Sequence, residues 1–217
     1  MVFACVRVFV AAGFILLFTG FILAEGSRRR VKGNVLVSEA LPKIKVAIKG
    51  RFKYVGRFSF KIRDVAAGER FVFVDAEKGR VKRMFVAQFE GFLPQIKDFY
   101  RYSFANAMKF GLHKFRHGFY AYSNREARRS NPRGEGVLTE DFLKKRGYEL
   151  ENELMMSRFV TVTGKEKKHE LILYYLENVS SSVHNLSEFY EDDKPTQVWK
   201  HISKNLKERS LRAFKVK

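Results

Sequence analysis

Residues 44–63 read IKVAIKGRFKYVGRFSFKIR, and every even position (Ile44, Val46, Ile48, Gly50, Phe52, Tyr54, Gly56, Phe58, Phe60, Ile62) is apolar, aromatic or glycine. A period of two is the mark of a strand with one dry face. The odd positions carry Lys45, Lys49, Arg51, Lys53, Arg57, Lys61 and Arg63, interrupted only by Ala47, Val55 and Ser59. The expectation is a ribbon with one buried side and one cationic side. Fully extended, it would run roughly 65 Å, too long for a domain of this size, so it must bend or reverse near Gly50 or Gly56. A two-residue hairpin at Val55 and Gly56 would put Tyr54 and Arg57 on the same face. A three-residue loop pairing Tyr54 with Phe58, or a bulged and coiled strand, keeps the dry side dry.

Downstream, Arg70 to Asp75 and Arg80 to Phe89 read as a hairpin around Ala76-Glu77-Lys78-Gly79. Phe71 to Val74 and Met84 to Ala87 are apolar without alternation, as in strands covered on both faces. A third hairpin is predicted from Arg158 to Thr163 and His169 to Leu176, with Gly164 to Lys168 as its tip. Between these units Ile96, Phe99, Tyr100, Ser103, Phe104, Ala107, Met108, Gly111, Leu112 and Phe115 recur at three-four spacing, which predicts an amphipathic helix after Pro94. Gly111 and the crowded aromatics leave its second half open to irregular chain with a short strand. Residues 123–137 read as loop, Thr139 as the cap of a short helix ending at Gly147, and Pro195 as the start of a C-terminal helix. The expected fold is α+β, an antiparallel sheet of about six strands with a central and a C-terminal helix packed on one face.

The chain has 217 residues, with 42 Lys and Arg against 23 Asp and Glu, a formal charge of +19, and 22 Phe among its aromatics. So much aromatic bulk implies a folded core under a cationic surface, unlike a disordered basic tail. The one cysteine, Cys5, lies in the N-terminal apolar segment, which excludes a disulfide framework, a Cys-ligated zinc and a cysteine nucleophile from the rest of the chain. Val8 to Ala24 carries no charge and resembles the hydrophobic part of a secretory signal ending at Ala24. The expected organisation is a signal or N-terminal anchor over 1–24 and a single basic domain over 25–217, exported to the periplasm or beyond. Arg28, Arg29, Arg30 and Lys32 directly after the segment oppose transfer of that flank, so an anchor formed by residues 8–24 is the alternative.

Gly79-Arg80-Val81-Lys82-Arg83-Met84-Phe85-Val86-Ala87-Gln88-Phe89-Glu90-Gly91-Phe92-Leu93-Pro94, followed by Tyr100-Arg101-Tyr102-Ser103, resembles a pattern in a family of small bacterial proteins with N-terminal signals and no assigned activity. So do Gly147-Tyr148-Glu149-Leu150, Met155-Met156-Ser157-Arg158 and Glu170-Leu171-Ile172-Leu173-Tyr174-Tyr175-Leu176-Glu177. The resemblance implies export and a single domain. It implies no reaction, cofactor or ligand.

Residues 25–63 hold twelve basic and two acidic residues. Lys45, Lys49, Arg51, Lys53, Arg57, Lys61 and Arg63 on one strand face would form a rigid cationic surface for anionic lipid, acidic polysaccharide or an acidic partner protein. The same charges would also serve to keep an edge strand from aggregating. Nucleic acid is not favoured, since neither an RNP-like strand motif nor a basic recognition helix is present. Glu90, set among Phe89, Phe92 and Leu93 with Arg83, Tyr100 and Tyr102 as candidate partners, forms a possible polar site able to hold a proton, either paired structurally or in catalysis. His113 and His117 have the spacing to share a metal on a helix, but the third ligand is missing and Lys114 and Arg116 oppose a cation, so no metal is assigned. The absence of GxSxG, a phosphate-cradling Gly loop and GxGxxG leans the reading away from an enzyme and assigns no cofactor. The Phe stripe of Phe52, Tyr54, Phe58, Phe60, Phe71, Phe73, Phe85 and Phe89 would fill a core, or line a cavity for an apolar ligand. The leading function is a non-catalytic binding module for an anionic envelope surface. A carrier of an apolar ligand is the first alternative, and an enzyme built around Glu90 the second.

Overall fold

The computed structural model describes residues 28–217, so the segment Val8 to Ala24 and Cys5 lie outside the described residues. In chain order the strands and helices are β1 (Arg29–Lys32), β2 (Val35–Ser38), β3 (Ile44–Ile48), β4 (Lys53–Ile62), β5 (Ala66–Glu77), β6 (Arg80–Phe92), β7 (Met108–Phe110), β8 (His113–Ser123), α1 (Asn124–Ser130), α2 (Glu135–Lys144), β9 (Glu153–Thr163), β10 (His169–Asn178), β11 (Tyr190–Glu191), β12 (Lys194–Pro195), α3 (Gln197–Ala213) and β13 (Phe214–Val216). A seven-stranded antiparallel sheet runs β4-β5-β6-β10-β9-β8-β7, a four-stranded one runs β1-β2-β3-β13, and β11 pairs with β12. The expected six-stranded sheet with two helices on one face is thus corrected to a strand-dominated fold of two main sheets and three helices among the described residues.

The quoted stretch is shared between the sheets. Its first five residues form β3, the chain reverses around Gly50 at φ +82, and β4 then opens the large sheet. No hairpin forms at Gly56. A bulge does: Tyr54 is opposite Phe73 but Gly56 is opposite Val72, so Val55 is the extra residue. The inserted residue inverts the parity of the strand. Tyr54 packs with Phe71 and Phe73 on one face of the sheet, while Phe58 meets Phe142 of α2 on the other at 4.8 Å.

Both faces of the large sheet are therefore covered, as the unbroken apolar runs predict. On one side Phe71, Phe73, Phe85, Leu171 and Leu173 pack against Leu206 and Ile202 of α3 and against Leu36, Val46 and Phe214 of the small sheet. On the other, Val72, Val74, Met84, Val86 and Ile172 pack against Phe142 and Leu143 of α2.

The central helix expected after Pro94 is absent. Residues 100–104 alternate between half-buried and exposed, with Tyr100 stacked parallel to Tyr102 at 6.4 Å and Phe92 against Tyr100 at 4.7 Å. The triplet Tyr100, Tyr102, Phe104 has period two, and docking those rings on the sheet wins over the weaker three-four stripe. Gly111 at φ +58 then reverses the chain between β7 and β8. The loop expected over 123–137 contains α1, capped by Ser123 Oγ accepting from Glu126 N at 3.3 Å, and the start of α2. Thr139 is interior to α2, not its cap, and its hydroxyl donates to Glu135 O at 2.8 Å. The C-terminal helix starts at Gln197, two residues after the expected Pro195, which belongs to β12; Thr196 Oγ1 caps it by accepting from Trp199 N at 3.2 Å, and the chain continues as β13 from Phe214.

Gly68 lies opposite Phe60 in the β4-β5 register, and a Cβ there would overlap the Phe60 ring. Replacing it with alanine is expected to cost about 1–3 kcal/mol by forcing the ring off its rotamer. Urea unfolding reads this out; an unchanged midpoint would mean that the ring swings away freely.

Candidate functional site

Cross-strand register builds the solvent face of the small sheet. Arg30, Val37 and Lys45 lie in one row, and Lys32, Val35, Ala47 and Lys215 in the next. Lys217 extends the first row by donating its backbone N–H to Lys45 O at 2.9 Å. The opposite residues, Val31, Leu36 and Val46, face the core. Arg30, Lys32, Lys45, Lys215 and Lys217 are all exposed, with Lys43 and Lys49 exposed beside them. Among the described residues the acid of this face is Glu39, which pairs with Arg30 at 2.6 Å.

Of the seven strand cations expected on one face, Lys45 alone lies in these rows. Arg51 reaches Asp75 at 3.4 Å. Lys53 shares the register of Val74, whereas Arg57 and Lys61 share those of Phe71 and Ala67, so the bulge divides them between the two faces of the large sheet. Arg57 is turned onto Glu69 at 3.0 Å, and Arg63 lies in the β4-β5 turn at φ 45. The cations that complete the basic face, Arg30, Lys32, Lys215 and Lys217, stand near the two ends of the described chain; their charge was visible in sequence, their neighbourhood was not.

The Glu90 site is larger than expected. On the α2 side of the large sheet, Arg70 of β5 bonds Gln88 of β6, and its two terminal nitrogens reach Glu135 O at 2.7 Å and Glu135 Oε2 at 2.8 Å. Gln88 donates to Glu135 Oε2 at 2.9 Å and also to Glu90. Tyr100 donates to Glu90 Oε2 at 3.4 Å. Directly opposite Glu90 on β10 stands Glu170, 2% exposed, whose Oε2 accepts no hydrogen bond of standard geometry.

Burial pushes the Glu170 carboxyl up to about 8, assisted by the Glu90 charge. Burial also raises Glu90, with the Glu135 charge adding and the bonds to Glu170 and Gln88 opposing. Two facing carboxyls so placed share a proton near neutral pH. Burial and the Glu90 charge raise the Tyr100 phenol, and burial and the Glu170 charge raise Tyr102, so both stay protonated donors.

Glu90 and Tyr100 are thus hydrogen-bonded, and Tyr102 stacks on Tyr100. Arg83 is not with them. It sits near the other end of β6 on the α3 side, where its Nε holds Asp75 at 3.0 Å beside Arg51. Arg70, Gln88 and Glu170 carried a signal, a polar side chain inside an otherwise apolar strand, whereas Glu135 at the start of α2 carried none. Chemically, the cluster ties β5, β6, α2 and the 93–107 segment to one another.

His113 and His117 lie on a strand instead of a helix. His117 Nε2 meets Ser157 Oγ at 2.8 Å and its ring packs between Phe119 and Phe159, so burial, with Lys207, lowers it to about 4. Among the described residues no group of His, Cys, Asp and Glu is arranged to hold a metal ion.

Phe71, Phe73, Phe85 and Phe89 of the Phe stripe fill the α3-side core, whereas Phe60 lines open space on the other face of the sheet. A cleft of about 1020 Å³ lies there between the large sheet and the α1-α2 link, with Arg70 and Tyr174 in its wall. Among the described residues no helix is long and apolar enough to cross a membrane. Compared with protein-family models, curated proteins and solved structures, the chain matches none of them.

Proposed function

We propose that this protein is a non-catalytic module that binds the anionic lipid surface of a cell envelope through the solvent face of its four-stranded sheet. The observation that carries the reading is the pair of cross-strand rows bearing Arg30, Lys32, Lys45, Lys215 and Lys217. Adjacent strands lie about 4.8 Å apart, inside the Debye length of about 8 Å in physiological salt, so cations on neighbouring strands act on one surface together. Sheet pairing holds them in place, which reduces the ordering cost of binding. Lys32, Lys45, Lys215 and Lys217 form no ion pair with acids of the described residues, so their field is directed to solvent. Val35, Val37 and Ala47 supply a half-buried apolar strip between the cations. β1 starts five residues after Ala24, so a retained apolar segment would keep the small sheet within roughly 17 Å of the bilayer.

Each cation near an anionic leaflet contributes about 1 kcal/mol. Lys45→Glu with Lys215→Glu is therefore expected to weaken the full chain's preference for anionic over zwitterionic phospholipid vesicles at least tenfold, measured by cosedimentation. Raising the salt should weaken the wild type likewise. Lys144→Glu with Lys145→Glu, at the end of α2 on the opposite side of the large sheet, should change it little. Equal losses in the two double variants would show general basicity at work. Unchanged binding in the first would remove the proposal, and a preference for acidic polysaccharide over the vesicles would transfer the face to a different partner.

A further inference from the structure

The cleft on the α2 side of the large sheet is separated from the basic face by the sheet itself, and nothing in the vesicle reading uses it. It measures about 1020 Å³, at the upper end of the range for small-ligand sites. Its half-buried apolar lining comes from Phe60 and Ile62 of β4, Met156 of β9 and Leu150 before it. Beneath these, Met84, Val86 and Leu176 close the floor and join it to the second core.

The polar groups are gathered around the α1-α2 link and the β4-β5 turn. Arg63 and Arg133 are both exposed lining residues and form no ion pair with acids of the described residues. Against them stand Asp64 and Glu135, and Glu135 is already neutralised by Arg70 at 2.8 Å. The lining therefore has an excess of positive charge beside an apolar trough. α2 starts at the same place, after Gly134, without a side chain capping its first turn.

An uncharged apolar ligand would gain nothing from the two arginines, and a small inorganic anion would gain nothing from the trough. A molecule with both parts satisfies both. We infer that the cleft binds a single-chain amphiphile with an acidic head group, its chain on Phe60, Ile62, Leu150 and Met156 and its head between Arg63 and Arg133. Burying the chain supplies most of the affinity, and the arginines select the anionic head, as charge-assisted hydrogen bonds do.

The test uses the full chain and displacement of cis-parinaric acid fluorescence by palmitate, by a lysophosphatidate and by hexadecanol. Displacement by either acidic amphiphile, with hexadecanol at least tenfold weaker, is expected. Whichever acid binds more tightly identifies the head as carboxylate or phosphate. Met156→Trp, which fills the trough, should abolish displaceable binding. Arg63→Glu with Arg133→Glu, both on exposed chain, should weaken the acids at least tenfold and leave hexadecanol as it was. Hexadecanol binding as tightly as palmitate, no displaceable signal in the wild type, or acid binding untouched by the arginine reversals would each overturn the inference. Should Met156→Trp fail to fold, the arginine pair still decides. Vesicle binding by the basic face is read separately and can fail without affecting this result.

Discussion

Arg70→Met is expected to destabilise the protein by about 3–5 kcal/mol, the range for removing one member of a buried ion pair. Arg70 is 6% exposed, and its guanidinium bonds Gln88, Thr139 and both the backbone and the carboxylate of Glu135. Without it, Glu135 and Glu90 lose their shared cation, while Gln88 keeps only its bonds to two carboxylates. The first turn of α2 is then attached to the sheet mainly through Phe142 and Leu143, farther along the helix. Urea unfolding of the wild type, Arg70→Met, Glu135→Leu and the double variant measures this. The double variant should be more stable than the sum of the single losses predicts, because the second change removes the charge orphaned by the first. A loss below about 1 kcal/mol in Arg70→Met would show that the network is solvated and dispensable.

Glu170→Gln is expected to do the reverse, raising stability in neutral and alkaline solution and by more as pH rises. The folded protein holds the Glu170 proton up to about pH 8, while an unfolded chain releases it near 4.3. Folding therefore takes up a proton between those values, and the stability present in acid is lost progressively until pH passes the folded value. His117, lowered to about 4 in the folded state, works in the opposite sense below its unfolded value near 6.5. The interval from about 6.5 to 8 is thus where the carboxyl shows most clearly. There the wild type should lose roughly 2 kcal/mol, and Glu170→Gln should lose little of it. Tyr100, Tyr102 and Arg158 remain in both proteins, so the difference between their pH profiles reports the proton shared by Glu90 and Glu170. Parallel profiles would mean that Glu170 is ionised throughout, beside a cation strong enough to offset Glu90.

How much of this was legible in advance depends on the kind of signal each element carries. The hairpin β5-β6 announces itself through two apolar runs and a turn in which Lys78 and Gly79 both take positive φ. The hairpin β9-β10 is equally plain, as is the presence of a C-terminal helix. The segment after Pro94 misled because Tyr100, Phe104 and Met108 fit a helical stripe while Tyr100, Tyr102 and Phe104 fit a strand-like one, and only the sheet beneath them settles which rings are buried. α1 and the start of α2 were obscured by Arg, Asn and Gly, residues that read as loop until Arg70 and Ser123 supply the partners that hold them.

The candidate sites divide along the same line. Glu90 was conspicuous because its neighbours in sequence are apolar, and the tyrosines were near enough to be named with it. Glu170 lies eighty residues away in the chain and becomes its neighbour only through the β6-β10 register. The basic ribbon was conspicuous too, yet one inserted residue at Val55 sends its charges to two faces.

By itself, the sequence of this protein determined the extended stretches seen as β3 to β6, β9 and β10, the cover on both sides of β5 and β6, and the excess of positive charge. Those follow from side-chain period and composition, which are local. Tertiary structure decided that the charges near the two ends of the described chain meet on one small sheet, that two carboxyls face each other inside the other, and where space was left beside α2. Each of these rests on pairing between distant segments, whose register is selected by the packing of whole sheet faces and not by any residue's neighbours along the chain.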